Sequence, residues 1–345
     1  MEKPKVLITK KDVPQIAIRK LRELCDVDIY EGSYPMPRDQ LLARVAGKDG
    51  LFCFITDRIN TKVLDAAGRS LRVISTMSVG YDHLSLEEMK SRDIKVGYTP
   101  DVLTDATAEL TLALLLATWR RLLQANAAAT GQRCCYRPTL LLQANAELNN
   151  GGWGRCVWGP VWMLGKGLSG STVGIFGLGR TGQAVLKRLA GFNVAKFLYT
   201  STTKKELGGS YPVAEFVSFE RLLQESDFVI CTAALNEQTR AKFNKDAFAA
   251  MKNSAVFINT SRGGLVDQEA LVWAIQTGQI RAAGLDVMTP EPLPADHILT
   301  TLPNCTLLPH LGTSEERTRA AMAELAADNL LGGLIVGKQM PKRLC

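Results

Sequence analysis

The sequence predicts an α/β protein of two doubly wound parallel-sheet units in series, and three observations carry that expectation. Short β-branched runs alternate with segments whose apolar residues fall at helical spacing, which is the rhythm of βαβ units. The rhythm pauses at a long helical pattern, "DATAELTLALLLATWRRLL" (Asp105–Leu123), and starts again at Ser171. The second series opens on a strand that runs straight into closely spaced glycines. A chain of 345 residues, 46% of them hydrophobic, has apolar material for two ordinary cores.

In the first series "PKVLITK" (Pro4–Lys10) reads as a strand and "VPQIAIRKLRELC" (Val13–Cys25) as the helix after it. "DGLFCFIT" (Asp49–Thr56), "LRVISTM" (Leu71–Met77) and "IKVGYT" (Ile94–Thr99) follow as strands, with "TKVLDAAGRS" and "SLEEMKSR" as helices between them. The second series places strands at "STVGIFGLG" (Ser171–Gly179), "FLYT" (Phe197–Thr200), "DFVICTAAL" (Asp227–Leu235), "SAVFINTS" (Ser254–Ser261), "AAGLDV" (Ala282–Val287) and "CTLLPH" (Cys305–His310). The last segment, Ser314–Gly337, is a long helical pattern whose apolar face has no obvious place in either series; a return to the first unit is one placement. The hexamer "LLQANA" occurs at Leu122–Ala127 and again at Leu141–Ala146. Two copies are too few for a solenoid, so the repeat reads as a local insertion in a surface loop.

The net charge of +7 suits small anionic ligands, and the basic residues are scattered rather than gathered with aromatics, so no nucleic-acid partner is expected. The eight cysteines form no CxxC pair and read as reduced thiols. Cys134 and Cys135 have no further ligands placed nearby, so no metal is expected. The N-terminus carries no apolar run of signal-peptide length, and "LTLALLLATW" is too short to span a bilayer. The expectation is a cytoplasmic protein with no membrane partner.

Gly177, Gly179 and Gly182 in "VGIFGLGRTGQAVLKRLAGF" stand at GxGxxG spacing between a strand and a helix. The first glycine permits the tight turn, the second lets backbone approach a pyrophosphate, and the third lets helix pack on strand. A dinucleotide is therefore expected. About twenty residues on, where an acid would hold a ribose, "LYTSTTKKE" (Leu198–Glu206) offers none before Glu206. Ser201, Thr202, Thr203, Lys204 and Lys205 would instead welcome a 2′-phosphate, which favours NADPH and leaves NADH possible; the other reading of the two lysines is a solvated loop.

Three further side chains fall just past strands, on the edge where open α/β sheets bind ligands: Arg262 in "FINTSRGGLVD", Asp286 and Glu291 in "GLDVMTPEPLP", and His310 in "LLPHLGT". A 2-oxo acid needs a cation for its carboxylate, which arginine supplies, and a proton donor for its carbonyl oxygen, which histidine supplies near neutrality. Glu291 is suited to hold the second ring nitrogen of His310. His83 and His297 lack such a setting and read as structural or surface residues.

With these residues in hand, the chain resembles the D-isomer-specific 2-hydroxyacid dehydrogenases, nearest to their vertebrate branch acting on glyoxylate and hydroxypyruvate. The carriers are "VISTMSVGYDHL", "VGYTPDVLTDATAEL", "STVGIFGLGRTGQA", "AVFINTSRGGLVDQEAL", "AAGLDVMTPEPLP" and "LLPHLGTSEERTR", spread nearly end to end. The resemblance implies a Rossmann cofactor domain (103–315) inserted into a flavodoxin-like substrate domain (1–102 and 316–345). It implies NADPH-dependent reduction to glycolate and D-glycerate, with Arg262, Glu291 and His310 catalytic. It carries cofactor contacts to Gly177, Leu178, Gly179, Arg180, Thr181, Gly182, Ser201, Thr202, Thr203, Lys204, Ala234, Leu235, Thr260, Asp286 and Gly312. Substrate would meet the Val79 and Gly80 amides, Arg262 and Trp158. The family is homodimeric, and "NGGWGRCVWGPVWML" resembles its dimerisation arm, in which Trp158 is either a reach toward the partner's site or an interface anchor.

Two departures stand out. Thr202 occupies the position where the vertebrate branch has an arginine for the 2′-phosphate, and the segment near 122–140 is extra. Two rival functions follow from the same fold: a dinucleotide-sensing corepressor, or a paralogue silenced by the insertion.

Overall fold

The computed structural model describes residues 2–120, 122, 164–165 and 167–345. The repeated hexamer, Cys134 and Cys135, the insertion near 122–140, the expected dimerisation arm and Trp158 lie, Leu122 and Leu164 apart, outside the described residues. The chain divides into two compact units, Met1–Thr104 with Thr313–Cys345, and Asp105–Gly312.

The first unit runs β1 (Lys5–Ile8), α1 (Gln15–Leu24), β2 (Asp26–Ile29), α2 (Arg38–Val45), β3 (Gly50–Cys53), α3 (Thr61–Ala67), β4 (Val73–Thr76), α4 (Leu86–Ser91) and β5 (Lys95–Gly97). Its sheet is parallel throughout, in the order β2-β1-β3-β4-β5. Strands β3 and β4 are buried along their whole length; β3 therefore reads as a continuous apolar run rather than an alternating one, while β4 ends on the buried hydroxyls of Ser75 and Thr76. Edge strand β2 was not legible in the sequence. "DVDI" alternates acid with aliphatic, and only its register on β1, Lys5 against Asp26 through Ile8 against Ile29, makes it a strand. Burial would raise the pKa of Asp28, but the ammonium of Lys48 at 2.8 Å and the guanidinium of Arg44 outweigh it and hold the carboxyl below its usual range.

The closing helix α10 (Glu316–Leu334) packs on this unit. Met322, Ala323, Ala326, Ala327, Leu330, Leu331 and Leu334 bury against Val6 and Ile8 of β1 and Ala17, Ile18 and Leu21 of α1. The alanines keep the approach close. Asn329, buried on the same helix, donates from Nδ2 to the Tyr98 carbonyl at 2.9 Å and accepts from the Lys342 amide at 2.9 Å. One side chain thereby ties the helix to the end of β5 and to the C-terminal segment.

The second unit begins with α5 (Thr104–Trp119) and continues through β6 (Thr172–Phe176), α6 (Arg180–Leu189), β7 (Lys196–Thr200), β8 (Ala214–Phe216), α7 (Phe219–Glu225) and β9 (Phe228–Cys231). It ends with α8 (Lys245–Ala249), β10 (Val256–Asn259), α9 (Gln268–Gln276), β11 (Ala282–Leu285) and β12 (Cys305–Leu307). The parallel sheet is ordered β12-β11-β10-β9-β6-β7-β8. Its strands alternate between two apolar layers: Phe257 joins Phe243 and Phe248 on one face, while Val256 and Ile258 join Trp119 and Phe228 on the other. The three-residue edge strand β8 pairs only with β7 and carries no strand signal of its own. The order reverses between β6 and β9, which opens a crevice at their carboxyl ends. Among the described residues no helix is long and apolar enough to cross a membrane.

Replacing Asn329 by alanine removes the partner of two part-buried backbone groups, at up to about 1 kcal/mol each. Asn329→Ala is expected to lower the urea midpoint of the first unit clearly; an unchanged midpoint would show that the tie carries no stability.

Candidate active site

The crevice between β6 and β9 is lined first by the glycine turn. Gly177 has φ +97°, and a Cβ placed on it would lie 2.5 Å from Ala233 Cα, so only glycine fits where the turn crosses the neighbouring strand. A Cβ on Gly182 would meet the Gly177 carbonyl at 2.4 Å, which is how closely α6 seats on the turn. Gly179 differs: a Cβ there would meet nothing within 4 Å, so the space beside it is open. The Leu178 side chain is buried in the core, leaving only its backbone toward the crevice. No side chain caps the N-terminus of α6, and no acid stands in its first turn, where Arg180 and Thr181 begin the helix. Amides and macrodipole thus present a positive end suited to a pyrophosphate.

At the end of β7 the chain turns through Ser201–Lys204. Ser201 Oγ donates to the Thr203 carbonyl at 2.5 Å, and Lys205 Nζ donates to Thr203 Oγ1 at 3.2 Å. The Tyr199 hydroxyl accepts from the Lys205 amide at 2.9 Å and fixes the far side of the loop. Thr202, Thr203 and Lys204 are exposed. Glycine cradle, open helix end and hydroxyl–lysine loop together fit a dinucleotide.

The catalytic candidates sit past β10, β11 and β12. The Asn259 amide organises the turn that carries Arg262: Nδ2 donates to the Arg262 carbonyl at 2.9 Å, while Oδ1 accepts from the Ser261 amide at 3.0 Å. Arg262 Nη1 donates to the Ser261 carbonyl at 2.8 Å. Gly263 lies so close to the next loop that a Cβ would fall 2.0 Å from the Met288 carbonyl and 2.7 Å from Thr289 Oγ1, so this turn and the Glu291 loop abut closely. In that loop Glu291 Oε1 accepts from the Met288 amide at 3.0 Å, and Oε2 stands 2.8 Å from His310 Nδ1. An ionised carboxylate only accepts, so the hydrogen-bond network assigns a proton to Nδ1.

His310 holds φ +56°, a left-handed conformation uncommon outside glycine. Its amide donates to the Asp286 carbonyl at 2.8 Å. The Asp286 carboxylate accepts from the Leu311 amide at 2.7 Å and the Gly312 amide at 2.8 Å. Burial pushes the Asp286 carboxyl above the ordinary carboxylate range, against the pull of these amides and of His310. Its side chain is fully buried and spent on the turn, so it shapes the site from beneath.

The remaining candidates are spread more widely. Thr260 is buried and its hydroxyl meets Thr111 Oγ1 at 2.8 Å. The Ala234 carbonyl accepts from Thr239 Oγ1 at 2.8 Å, and Leu235 is half-buried beside Gly264. In the first unit, Val79 is exposed and Gly80 half-buried on the loop after β4, where Ser78 Oγ donates to the Gly80 carbonyl at 2.7 Å. His83 braces that loop through Thr76 at 3.0 Å. His297 caps a short 3-10 turn, accepting from the Leu299 amide at 3.2 Å. Asn259 escaped the sequence reading; a buried asparagine ending an apolar strand is the signal that marks it.

The fold and these side chains define an oxidoreductase with a Rossmann dinucleotide-binding domain. A family model described as "D-isomer specific 2-hydroxyacid dehydrogenase, NAD binding domain" matches residues 138–312. The "Glyoxylate reductase/hydroxypyruvate reductase" of Mus musculus is 50% identical over 320 residues, covering 93% of this chain and 91% of its own. The Homo sapiens protein of the same name is 47% identical over 343 residues, covering 99% and 97%. A solved structure of NADPH-dependent glyoxylate/hydroxypyruvate reductase from Sinorhizobium meliloti, in complex with NADP and malonate, superposes with a TM-score of 0.79 at 30% identity, covering 100% and 97%. The chain belongs to the D-isomer specific 2-hydroxyacid dehydrogenase family, as its motifs predicted.

Because a side chain at Gly179 meets nothing within the protein, Gly179→Val should fold with an unchanged melting temperature yet lose more than about tenfold in dinucleotide affinity. Fluorescence titration with NADPH checks this; unaltered affinity would remove the turn from the binding site.

Proposed function

We propose that the protein is a cytoplasmic, homodimeric reductase of small 2-oxo acids that uses NADPH in preference to NADH, converting glyoxylate to glycolate and hydroxypyruvate to D-glycerate. The observation that carries this reading is the 2.8 Å bond between His310 Nδ1 and Glu291 Oε2, beside the turn of Arg262 and in the same unit as the glycine cradle. The names of the mouse and human relatives support the substrate class, and the S. meliloti structure supports NADPH as donor. The corepressor alternative is not favoured, since these relatives are named as reductases.

The bound nicotinamide supplies the hydride. Arg262 grips the substrate carboxylate in bidentate fashion. His310 delivers a proton from Nε2 to the carbonyl oxygen, while Glu291 accepts from Nδ1 and stabilises the imidazolium before transfer. Ser201, Thr203 and Lys204 receive the 2′-phosphate, with Thr202 contributing no charge. The discontinuous unit binds substrate, and the arm with Trp158 joins two protomers.

Loss of NADPH absorbance with hydroxypyruvate, run beside NADH, tests the reading: NADPH should be consumed faster, and equal or faster use of NADH would overturn the cofactor preference. Lys204→Ala is expected to raise KM for NADPH and leave KM for NADH unmoved. His310→Ala should lower kcat by about 10²–10⁴-fold with NADPH affinity intact, the range for loss of a general acid. A variant that turns over normally would sink the proton-transfer role.

A further inference from the structure

The loop that carries Glu291 is exposed, and its own residues supply one bond, from the Met288 amide, to hold the carboxylate in place. A second hold comes from α9. Gln268 Oε1 accepts from the Thr289 amide at 2.9 Å, and Gln268 Nε2 donates to the Thr289 carbonyl at 2.7 Å. A single side-chain amide thus satisfies both backbone groups of one residue, the pairing a neighbouring strand would supply. Thr289 lies between Met288, whose amide holds Glu291, and Pro290, which leads into it.

The clasp itself is well anchored. Gln268 is the first residue of α9, and the N-cap Asp267 accepts from the Glu269 and Ala270 amides, both at 3.1 Å, which fixes where the helix begins. On the other side Gly263 presses its backbone on the Met288 carbonyl.

We infer that Gln268 is a positioning residue for catalysis: through the Thr289 backbone it sets the Glu291 carboxylate against His310 Nδ1. The inference rests on the reading of Glu291 and His310 as the proton-delivery pair. It gives α9 a part in the chemistry although none of its side chains faces the pair directly. Misplacing the carboxylate by a fraction of an ångström weakens its stabilisation of the protonated ring, the form that delivers the proton.

The test compares full-length Gln268→Met, which keeps the side chain's length and removes both bonds, with Glu291→Gln, using NADPH and hydroxypyruvate across pH. Gln268→Met should lose about tenfold in kcat with KM for hydroxypyruvate little changed. The alkaline fall-off of kcat should move to lower pH, in the same direction as in Glu291→Gln. Gln268→Glu, which keeps the acceptor for the Thr289 amide and loses the donor, should fall between wild type and Gln268→Met, and it serves if the methionine variant does not fold. A Gln268→Met enzyme with the wild-type pH profile, whether or not its melting temperature drops, overturns the inference, provided Glu291→Gln shows the shift. If Glu291→Gln itself keeps wild-type kcat and profile, the proton-delivery reading fails and the positioning role falls with it, so the two failures are told apart.

Discussion

The catalytic end of the second unit depends on one buried carboxylate. Asp286 spends both oxygens on the Leu311 and Gly312 amides and its carbonyl on the His310 amide, so three bonds from one residue define the turn that presents the imidazole. The turn needs that much support. A histidine at φ +56° is in a region that costs a non-glycine residue roughly 1–2 kcal/mol, and burying an ionised carboxylate is itself unfavourable. Both costs are met by converging amides, which fix the backbone from which the imidazole projects toward Glu291.

The other loops lean on this turn in sequence. Glu291 meets His310 through its second oxygen and Met288 through its first. The Arg262 turn, knotted by Asn259, abuts the Met288 carbonyl at Gly263. Strands β10, β11 and β12 are adjacent in the sheet, so the three loops leave it side by side and in one direction. Parallel order is therefore part of the chemistry: in an antiparallel sheet alternate loops would leave from opposite ends.

The glycine turn shows the same economy at the switch between β6 and β9. Gly177 and Gly182 are glycines because the protein's own backbone occupies the place of a side chain. Gly179 is one although nothing in the protein occupies it. The motif "GLGRTG" does not distinguish these two reasons, whereas the folded chain does. The second leaves room for backbone to approach a ligand.

Much was legible from the residues in order. Fully buried parallel strands such as "GLFC" and "VFIN" announce themselves because both faces are apolar, and the candidate side chains were picked out because a parallel sheet puts its ligand-facing residues just past such runs. The edges β2 and β8 were not legible, since "DVDI" and "AEF" become strands only by pairing with a neighbour far along the chain. The sequence by itself determined which residues are chemically able to act: a cation, an acid and an imidazole at strand ends, and a glycine turn before a helix. Tertiary structure alone decided which atom of each does so. Whether Asp286 faces a ligand or its own backbone, and which nitrogen of His310 carries the proton, are set by hydrogen bonds between residues up to twenty-six positions apart, and local spacing holds no record of those bonds.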